Sequence, residues 1–260
     1  MESEIVKNLI SLREGQPLVH SITNYVVMNN TANALLAIGA SPLMSHAHPE
    51  QSDIAKISNA LVINIGTLDE YWVNSMLLAI HEAKAAGKPW VLDPVGAGAS
   101  NFRNEVLHQF LHLGPTVIRG NASEIMAIAK YDVSSKGVDS VHQSAEAIRA
   151  ATMLSEQTGA VVCISGETDY IVHRDRLMAV HNGHPLMARV TGMGCTATAI
   201  IAAFLPFSTG IFDGVCSAMA IMGICGEMAG KLAQGSGSFQ MAFYDALYQI
   251  DEQQISVYLK

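Results

Sequence analysis

Two glycines and a cysteine stand directly before a strongly apolar run. The segment Thr191-Gly192-Met193-Gly194-Cys195 precedes a predicted helix over 195–205. Glycines let backbone amides approach a ligand closely, and the free amides at the positive end of a helix attract anions. The thiol of Cys195 lies in the first turn, where the pKa of a thiol tends to fall. The segment therefore predicts an anion site with an ionisable group beside it.

A second interpretation of the same glycines is a dinucleotide-binding loop. The stretch 192–197 fits G-x-G-x-x-A, and Asp213 follows at a suitable distance for the acidic residue of that fingerprint. Such a unit needs the acid at the end of a second strand, whereas 206–210 reads as a loop that leads into a helix. The pattern also lies late in the chain, so we disfavour dinucleotide binding. The P-loop pattern GxxxxGK(S/T) is absent from the sequence.

Two further polar segments follow predicted strands, and each carries a carboxylate. The segment 93–98, DPVGAG, is either a simple turn or a cleft edge from which Asp93 holds Mg²⁺ directly or through water. Glu124 lies three residues after Asn121, as in a capping box at a helix N-terminus. Arg119 is either a surface charge or a bidentate phosphate ligand. Together, Asp93, Arg119 and Glu124 are the parts expected for a nucleotide–Mg²⁺ site.

The stretch 24–33 carries four asparagines, although Asn is a poor residue inside a helix. Two interpretations stay open: a polar outward face with a helix cap, or a row of amides that begins at Asn24 and faces a polar ligand. Met44 follows a short strand-like segment and is placed to line a pocket. The nearby His46-Ala47-His48 lies on a loop with a proline, where we expect solvated side chains rather than a metal site.

Strand-like and helix-like segments alternate along the chain without a long linker or an internal repeat. This alternation predicts βαβ units and a parallel sheet covered by helices on both faces. We therefore predict one three-layer α/β/α domain over 1–260, with a mostly parallel central sheet that ends in an antiparallel hairpin. The predicted strands are 17–21, 60–65, 89–92, 116–118, 160–165, 170–174 and 177–181, and the predicted helices are 24–38, 69–86, 101–111, 123–129, 140–158, 195–205, 211–234 and 238–249.

Ligands of open parallel sheets bind at the carboxyl ends of the strands. The polar and glycine-rich segments of this chain follow predicted strands, so we expect them to converge on one cleft. These segments are 64–67, 93–98, 119–124, 165–167 and 191–195.

The overall composition narrows the class of partner. The 260 residues are 50% hydrophobic and 15% charged, which suits helices packed on a buried sheet, and the net charge of -8 argues against nucleic acid and anionic membranes. The four cysteines lack CxxC spacing, and the acidic first residues do not resemble a signal peptide. The apolar segment 211–230 contains two carboxylates and is predicted to be a buried helix. We expect a cytoplasmic protein.

Five segments occur in the order seen in the hydroxyethylthiazole kinase family, which is part of the ribokinase-like superfamily. The resemblance spans nearly the whole chain. It implies a ribokinase-like fold and an enzyme that uses ATP and Mg²⁺ to phosphorylate the hydroxyl of hydroxyethylthiazole, the thiazole half of thiamine. The five segments are His20-Ser21-Ile22-Thr23-Asn24, Ser41-Pro42-Leu43-Met44, Asp93-Pro94-Val95-Gly96-Ala97, Arg119-Gly120-Asn121-Ala122-Ser123-Glu124 and Thr191-Gly192-Met193-Gly194-Cys195.

On the nucleotide side, the resemblance implies a role for five residues. Arg119, Ser165 and Gly194 bind ATP, although the family often has Thr in place of Ser165. Asp93 and Glu124 organise Mg²⁺ and its waters. The amides over 192–195 form the anion hole for the phosphoryl group in transfer.

On the acceptor side, the resemblance implies that Asn24, Met44 and Gly192 contact the thiazole. It also implies a homotrimer with active sites between subunits, in which the Met44 segment of one chain completes the pocket of its neighbour. Related kinases usually have Asp where this chain has Cys195. We therefore interpret Cys195 as the group that accepts the proton of the acceptor hydroxyl, against the alternative of a small residue that merely fits the turn.

Three other functions remain as alternatives. The first is a kinase of the same superfamily that acts on another vitamin alcohol, such as pyridoxal or hydroxymethylpyrimidine. The second is an ATP-dependent dehydratase of hydrated NAD(P)H, and the third is a binding protein without catalytic activity. Cys195 and the segment 41–44 favour the thiazole kinase over the first alternative, and the intact acidic and glycine segments disfavour the third.

Overall fold

A single eight-stranded sheet runs through the part of the chain that the computed structural model describes, residues 1–132 and 143–260. The strands are β1 (Leu18–Ile22), β2 (Ser41–Leu43), β3 (Ala60–Asn64), β4 (Trp90–Asp93), β5 (Val117–Asn121), β6 (Val161–Ser165), β7 (Asp169–His173) and β8 (Arg176–Val180). Their order across the sheet is β2-β1-β3-β4-β5-β6-β7-β8. Neighbouring strands are parallel from β2 to β6, and β7 and β8 complete the sheet as the predicted antiparallel hairpin.

Helices cover both faces of this sheet, as the alternating pattern predicts. The described helices are α1 (Glu2–Gly15), α2 (Met28–Ile38), α3 (Gln51–Ile57), α4 (Glu70–Ala85), α5 (Asn101–His112), α6 (Ala122–Asp132), α7 (Gln143–Thr158), α8 (Met193–Phe204), α9 (Ile211–Leu232), α10 (Ser236–Gln249) and α11 (Glu252–Tyr258). One layer contains α1, α2 and α8 to α11, and the other contains α4 to α7. The fold is therefore the predicted three-layer α/β/α arrangement.

The central strands divide their side chains between two hydrophobic cores. In β3, Ala60 and Val62 belong to the core beneath α8 and α9, whereas Leu61 and Ile63 belong to the core beneath α4 and α5. Burial on both faces explains why these strands are continuous apolar runs rather than alternating ones. The two cores hold the sheet rigidly, so the strand ends keep fixed separations.

Helix α9 is long and apolar enough to cross a membrane by length and composition alone. Its most hydrophobic window has a mean hydropathy of 1.4, and 78% of that window is buried inside the protein. Its side chains contribute to the core on the α8 side of the sheet. The segment is thus a core helix, as its carboxylates and glycines indicate.

Several boundaries differ from the sequence-based prediction. The predicted helix over 24–38 begins only at Met28, because the Asn24 side chain accepts the Val26 amide at 3.1 Å and turns the chain there. The strand β5 extends to Asn121, so Arg119 lies inside a strand rather than after one. Helices α1, α3 and α11 were not among the predicted elements, and β2 corresponds to the short strand-like segment before Met44 that the list of predicted strands omits. Of the predicted helix over 140–158, residues 140–142 lie outside the described residues.

Candidate active site

The carboxyl ends of four parallel strands bring the polar segments side by side. Asn64 at the end of β3 is in register with Asp93 at the end of β4, and Asn121 at the end of β5 is in register with Ser165 at the end of β6. The carboxyl ends of the strands, which we call this edge of the sheet, therefore carry the segments 64–67, 93–98, 119–124 and 165–167. The topology places them there because each follows a strand of the same direction.

Asp93 is a buried carboxylate with one satisfied oxygen and one unsatisfied oxygen. Its Oδ2 accepts hydrogen bonds from Asn64 Nδ2 and from Thr198 Oγ1, each at 2.8 Å, whereas Oδ1 has no hydrogen-bond partner among the residues that the structure describes. Burial raises the pKa of Asp93 to about 6, against the opposing effects of Arg119 and the Thr198 hydrogen bond. An unpartnered buried carboxylate oxygen costs free energy, so this position fits a bound cation.

Cys195 lies beside Asp93 and is linked to it through two asparagines. Its Sγ accepts a hydrogen bond from Asn24 Nδ2 at 3.5 Å, and the same amide donates to Asn64 Oδ1 at 2.8 Å. Burial raises the pKa of Cys195 to about 11, Asp93 adds to this effect, and the asparagine hydrogen bonds oppose it. The expectation of a lowered thiol pKa is therefore wrong, because burial and a carboxylate neighbour outweigh the helix N-terminus.

This chain of hydrogen bonds has a fixed direction. An ionised carboxylate only accepts, so Asn64 presents its NH₂ group to Asp93 and its carbonyl oxygen to Asn24. Asn24 in turn presents its NH₂ group to the sulfur, while its carbonyl oxygen accepts the Val26 amide. The sulfur of Cys195 is consequently an acceptor in this chain, and any S–H hydrogen is directed away from Asn24.

Arg119 supplies a buried positive charge to the same edge. It is only 9% exposed, its Nη2 donates to Ser165 Oγ, and its Nε has no acceptor in the described part of the chain. Among the described residues it makes no salt bridge with a carboxylate. A Cβ on Gly194 would lie 2.6 Å from Arg119 Nη1, so the guanidinium packs directly against the glycine at the start of α8. A buried guanidinium without an acidic partner fits an anionic ligand.

Glu124 forms the capping box that was the structural alternative for this residue. Its Oε2 accepts the Asn121 amide at 2.9 Å, and Asn121 Oδ1 accepts the Glu124 amide at 2.9 Å. Its Oε1 accepts the Gly96 amide at 3.1 Å, which ties α6 to the loop after Asp93. The carboxylate is half-buried and keeps unused lone pairs beside these amides. Capping and a role near a cation are therefore compatible.

The start of α8 closes the edge from above the sheet. Gly192 is the N-cap residue with φ of 82°, and a Cβ there would lie 2.6 Å from Val27 Cγ1. Glycine is required at this position both for the left-handed backbone and for the close approach to α2. The helix begins at Met193, two residues earlier than predicted, so the amides over 192–195 form its first turn.

Met44 follows β2, the strand that borders the sheet on the β1 side. No hydrogen bond or ring contact among the described residues joins it to the other predicted site residues. His20, whose pKa is lowered by burial, donates from Nε2 to Ser45 O at 2.8 Å and fixes the chain after Met44. Beyond it, His46 stacks on Trp72 at 4.7 Å, so its ring is packed rather than freely solvated.

The dinucleotide interpretation is wrong. Asp213 lies in the first turn of α9 rather than at the end of a strand, and it pairs with Arg176 at 3.2 Å. The glycines of the fingerprint instead begin α8, which packs on the sheet beside Arg119 and Asp93.

Three side chains that shape this end of the sheet carry little signal in the sequence: Asn64, Thr198 and Arg103. Asn64 carries a weak signal, since it ends an apolar strand within a polar segment. Thr198 carries almost none, because it lies inside an apolar run and meets Asp93, 105 residues away, only in the folded chain. Its spacing of three from Cys195 is the one available clue, because such residues share a helix face.

The fold defines the class of this protein. The solved structure of a ribokinase-like superfamily protein from Enterococcus faecalis V583 matches with a TM-score of 0.66 at 14% identity, covering 93% of this chain and 87% of that chain. At this identity the likeness shows the fold alone. The chain therefore has the ribokinase-like α/β fold.

Sequence similarity narrows the class further. The chain belongs to the hydroxyethylthiazole kinase family, whose family model matches residues 9–253. A hydroxyethylthiazole kinase from Leptospira biflexa serovar Patoc is 51% identical over 256 residues, which cover 96% of each chain. The structure of a hydroxyethylthiazole kinase protein from Pyrococcus horikoshii OT3 matches with a TM-score of 0.92 at 42% identity, covering 98% of this chain and 97% of that chain. These comparisons confirm the family that the five sequence segments indicate.

Proposed function

We propose that this chain transfers the γ-phosphoryl group of ATP to the hydroxyl of hydroxyethylthiazole, and that residues 1–260 form one kinase domain for this reaction. Membership of the family supports the substrate pair. The observation that carries the site assignment is a pair of buried, unsatisfied charged atoms at one sheet edge, Asp93 Oδ1 and Arg119 Nε. The carboxylate oxygen of Asp93 favours a bound cation, and the guanidinium of Arg119 favours a bound anion. A metal-bound nucleotide supplies both.

Helix α8 connects the two charges. Gly194 lies against the guanidinium of Arg119, Cys195 accepts from Asn24, and Thr198 donates to Asp93. We assign the amides of its first turn to the phosphoryl group in transfer, where the helix dipole and the guanidinium both stabilise negative charge. Arg119, Ser165 and Gly194 hold the ATP phosphates in this scheme. Phosphoryl transfer depends mainly on such positioning and charge stabilisation.

The residues on the metal side fit Mg²⁺ bound together with phosphates rather than in a cage made only of protein. Among the described residues, no group of three or more His, Cys, Asp or Glu side chains could hold a metal ion. Magnesium commonly uses one or two carboxylates, several waters and the substrate phosphates, and it neutralises charge that develops on them. We assign Asp93 and Glu124 to this role. No donor in the described part of the chain hydrogen-bonds to Asp93 Oδ1.

The acceptor side places a thiol where the hydroxyl proton must leave. We assign Asn24, Met44 and Gly192 to the thiazole and Cys195 to the proton. The acceptor oxygen forms a bond to the γ-phosphorus, and the bond from that phosphorus to the bridging oxygen of ADP breaks. The acceptor proton passes to the thiolate form of Cys195 late in the step. With a pKa of about 11, Cys195 is mostly a neutral thiol near neutral pH, so only its small thiolate fraction acts as a base and its contribution to kcat is limited.

We also propose a homotrimer in which a neighbouring chain covers the acceptor side of the site. Tyr25 and Val26, next to Asn24, are 57% and 62% exposed, and β2 is a half-buried edge strand that leads to Met44. Mixing two inactive variants, Met44→Asp and Asp93→Asn, tests this arrangement. Restored activity in the mixture supports a site shared between chains, and no restoration contradicts it.

The four unpaired cysteines support a reducing, cytoplasmic compartment.

A substrate panel tests the proposed function. Purified protein with ATP and Mg²⁺ is given hydroxyethylthiazole, pyridoxal, hydroxymethylpyrimidine or hydrated NADH, and ADP formation is followed by a coupled assay. We expect ADP to form with hydroxyethylthiazole at a kcat/KM at least about 10² above the other alcohols, as a pocket built for one substrate allows. A preference for another alcohol, or ADP with free phosphate from hydrated NADH, contradicts the proposal. Asp93→Asn serves as the inactive control.

A further inference from the structure

Arg103 joins two of the loops that form the candidate active site. It lies in the first turn of α5, and its half-buried guanidinium reaches back to the carboxyl ends of β3 and β4. Its Nη1 donates to the carbonyl oxygens of Ile65 and Val95, the latter at 3.0 Å, and its Nη2 donates to Gly66 O at 2.8 Å. One side chain therefore holds three backbone carbonyls from two different loops.

The loops that it joins carry the ligands of the site. Ile65 directly follows Asn64, which donates to Asp93, and Val95 lies two residues after Asp93 itself. The aliphatic part and Nε of Arg103 also pack beside Gly96, where an added Cβ would lie 3.6 Å from Nε. The amide of Gly96 is the group that Glu124 accepts. Arg103 is thus connected to Asp93 and Glu124 through the backbone of residues 93–96, and its hydrogen bonds go to backbone carbonyls rather than to either carboxylate.

Two other side chains restrain the same loop but do not cross between strands. Asn104 Oδ1 accepts the Gly98 amide at 2.9 Å, and Ser100 Oγ caps α5 by accepting the Arg103 amide at 3.3 Å. Within the described ranges 1–132 and 143–260, Arg103 is the α5 residue whose side chain hydrogen-bonds to both the β3 loop and the β4 loop. Among the described residues it forms no salt bridge, so its charge is used for carbonyl oxygens. A planar guanidinium can donate in several fixed directions at once, which an ammonium group cannot reproduce.

We infer that Arg103 is a positioning residue for the metal–nucleotide site: it fixes the separation of the 64–67 and 93–98 loops so that Asp93 and Glu124 act on the same ion. This inference rests on the proposed function for its ligand, and it concerns a residue that contacts neither substrate. Loosening the loops should weaken the metal–nucleotide side much more than the thiazole side. Outer residues that orient metal ligands are commonly worth about 10–100-fold in metal affinity.

The test compares Arg103→Met and Arg103→Lys with Arg149→Met, an exposed arginine on α7, as the matched control. We measure Mg²⁺-dependent ADP binding by calorimetry, the Mg²⁺ concentration for half-maximal activity, and KM for the thiazole. Arg103→Met should weaken Mg²⁺–ADP binding and raise the half-saturating Mg²⁺ concentration by about tenfold or more. KM for the thiazole should change less than about twofold, and Arg103→Lys should restore less than half of the lost binding.

Asn104→Ala provides a second variant that removes only the Gly98 contact and should show a smaller effect in the same direction. The inference is overturned if Arg103→Met matches the control in Mg²⁺–ADP binding, or if it raises both substrate constants equally. Calorimetry with ADP separates this result from a failure of the proposed function, because it needs no acceptor. If wild-type protein phosphorylates no thiazole yet binds Mg²⁺–ADP in an Arg103-dependent way, only the proposed function fails.

Discussion

Replacement of Cys195 by aspartate should make the enzyme faster. Burial and the neighbouring Asp93 raise the pKa of Cys195 to about 11, so at pH 8 only about one thiol in 10³ is ionised. A carboxyl group has a reference pKa more than about four units below that of a thiol. The same burial and the same neighbouring Asp93 therefore leave an aspartate at this position mostly ionised at pH 8.

The expected gain follows from two opposing factors. The ionised fraction rises by about 10³, whereas the basicity of the group falls by about four units. With a Brønsted coefficient of about one half, the weaker base costs about 10² in rate, so the net gain in kcat is about tenfold. In Cys195→Ala no base remains, and kcat should fall about tenfold, since a fully ionised base is worth up to about 10⁴. KM for ATP should change little in both variants.

Steady-state kinetics from pH 6.5 to about 9 provide the assay, since the thiol pKa lies well above this range. The logarithm of kcat for the wild-type protein should rise with pH and approach a slope of one above about pH 8, because the thiolate fraction grows with pH, and it should flatten at lower pH, where the base-free rate dominates. Cys195→Asp should be flat above about pH 8. Cys216→Ala, a buried cysteine on α9, is the control for loss of a thiol elsewhere. An alanine variant within twofold of wild type, or an aspartate variant slower than wild type, would refute the reasoning.

Three further predictions concern the groups around α8. Gly194→Ala should raise KM for ATP about tenfold, because its Cβ would lie 2.6 Å from Arg119 Nη1, whereas Gly237→Ala, with open space around it, should leave KM unchanged in the same assay. Asp93→Asn should abolish activity yet raise stability at pH 8 by up to about 3 kcal/mol, since ionising the buried acid costs the folded state about two pKa units. Between about pH 4 and 6 the carboxyl of Asp93 is protonated in the folded state and ionised in the unfolded state. Calorimetry should therefore show that the stability difference between Asp93→Asn and wild type shrinks as the pH falls through that window. Thr198→Val should raise the half-saturating Mg²⁺ concentration about tenfold, and Thr198→Ser should restore it.

The alternation of apolar runs and turns predicted the layers of the fold because both cores need continuous hydrophobic strands. Seven of the eight strands were predicted with bounds, and β2 was recognised only as a strand-like segment before Met44, because its three half-buried residues leave too short a pattern. Helix α11 escaped prediction although Asp251 and Gln254 form a capping box, since a helix of this length has little periodicity to detect. Helix α2 begins late because the Asn24 side chain competes for a backbone amide, a contact that no periodicity reveals.

The site was predictable where residue type and strand position coincide. Asp93 and Arg119 have side chains that are rare in buried positions, so residue type alone points to them, although Arg119 lies inside β5 and only Asp93 ends its strand. Arg103 lies in an ordinary helix turn, and its role depends on carbonyls of residues 37 and 38 positions earlier. The thiol pKa of Cys195 was mispredicted because the sequence shows the helix start but shows neither its burial nor Asp93 beside it.

The proposed reaction can be followed directly by the transfer of radiolabel from the γ-phosphate of ATP to the hydroxyl of hydroxyethylthiazole. The protein is incubated with labelled ATP, Mg²⁺ and the thiazole, and the products are separated by chromatography and identified by mass. If the reaction takes place at the Asp93 site, we expect labelled thiazole phosphate in a one-to-one ratio with ADP for the wild-type protein, and none for Asp93→Asn. Label that appears only in inorganic phosphate, or labelled thiazole phosphate that persists in Asp93→Asn, would contradict it.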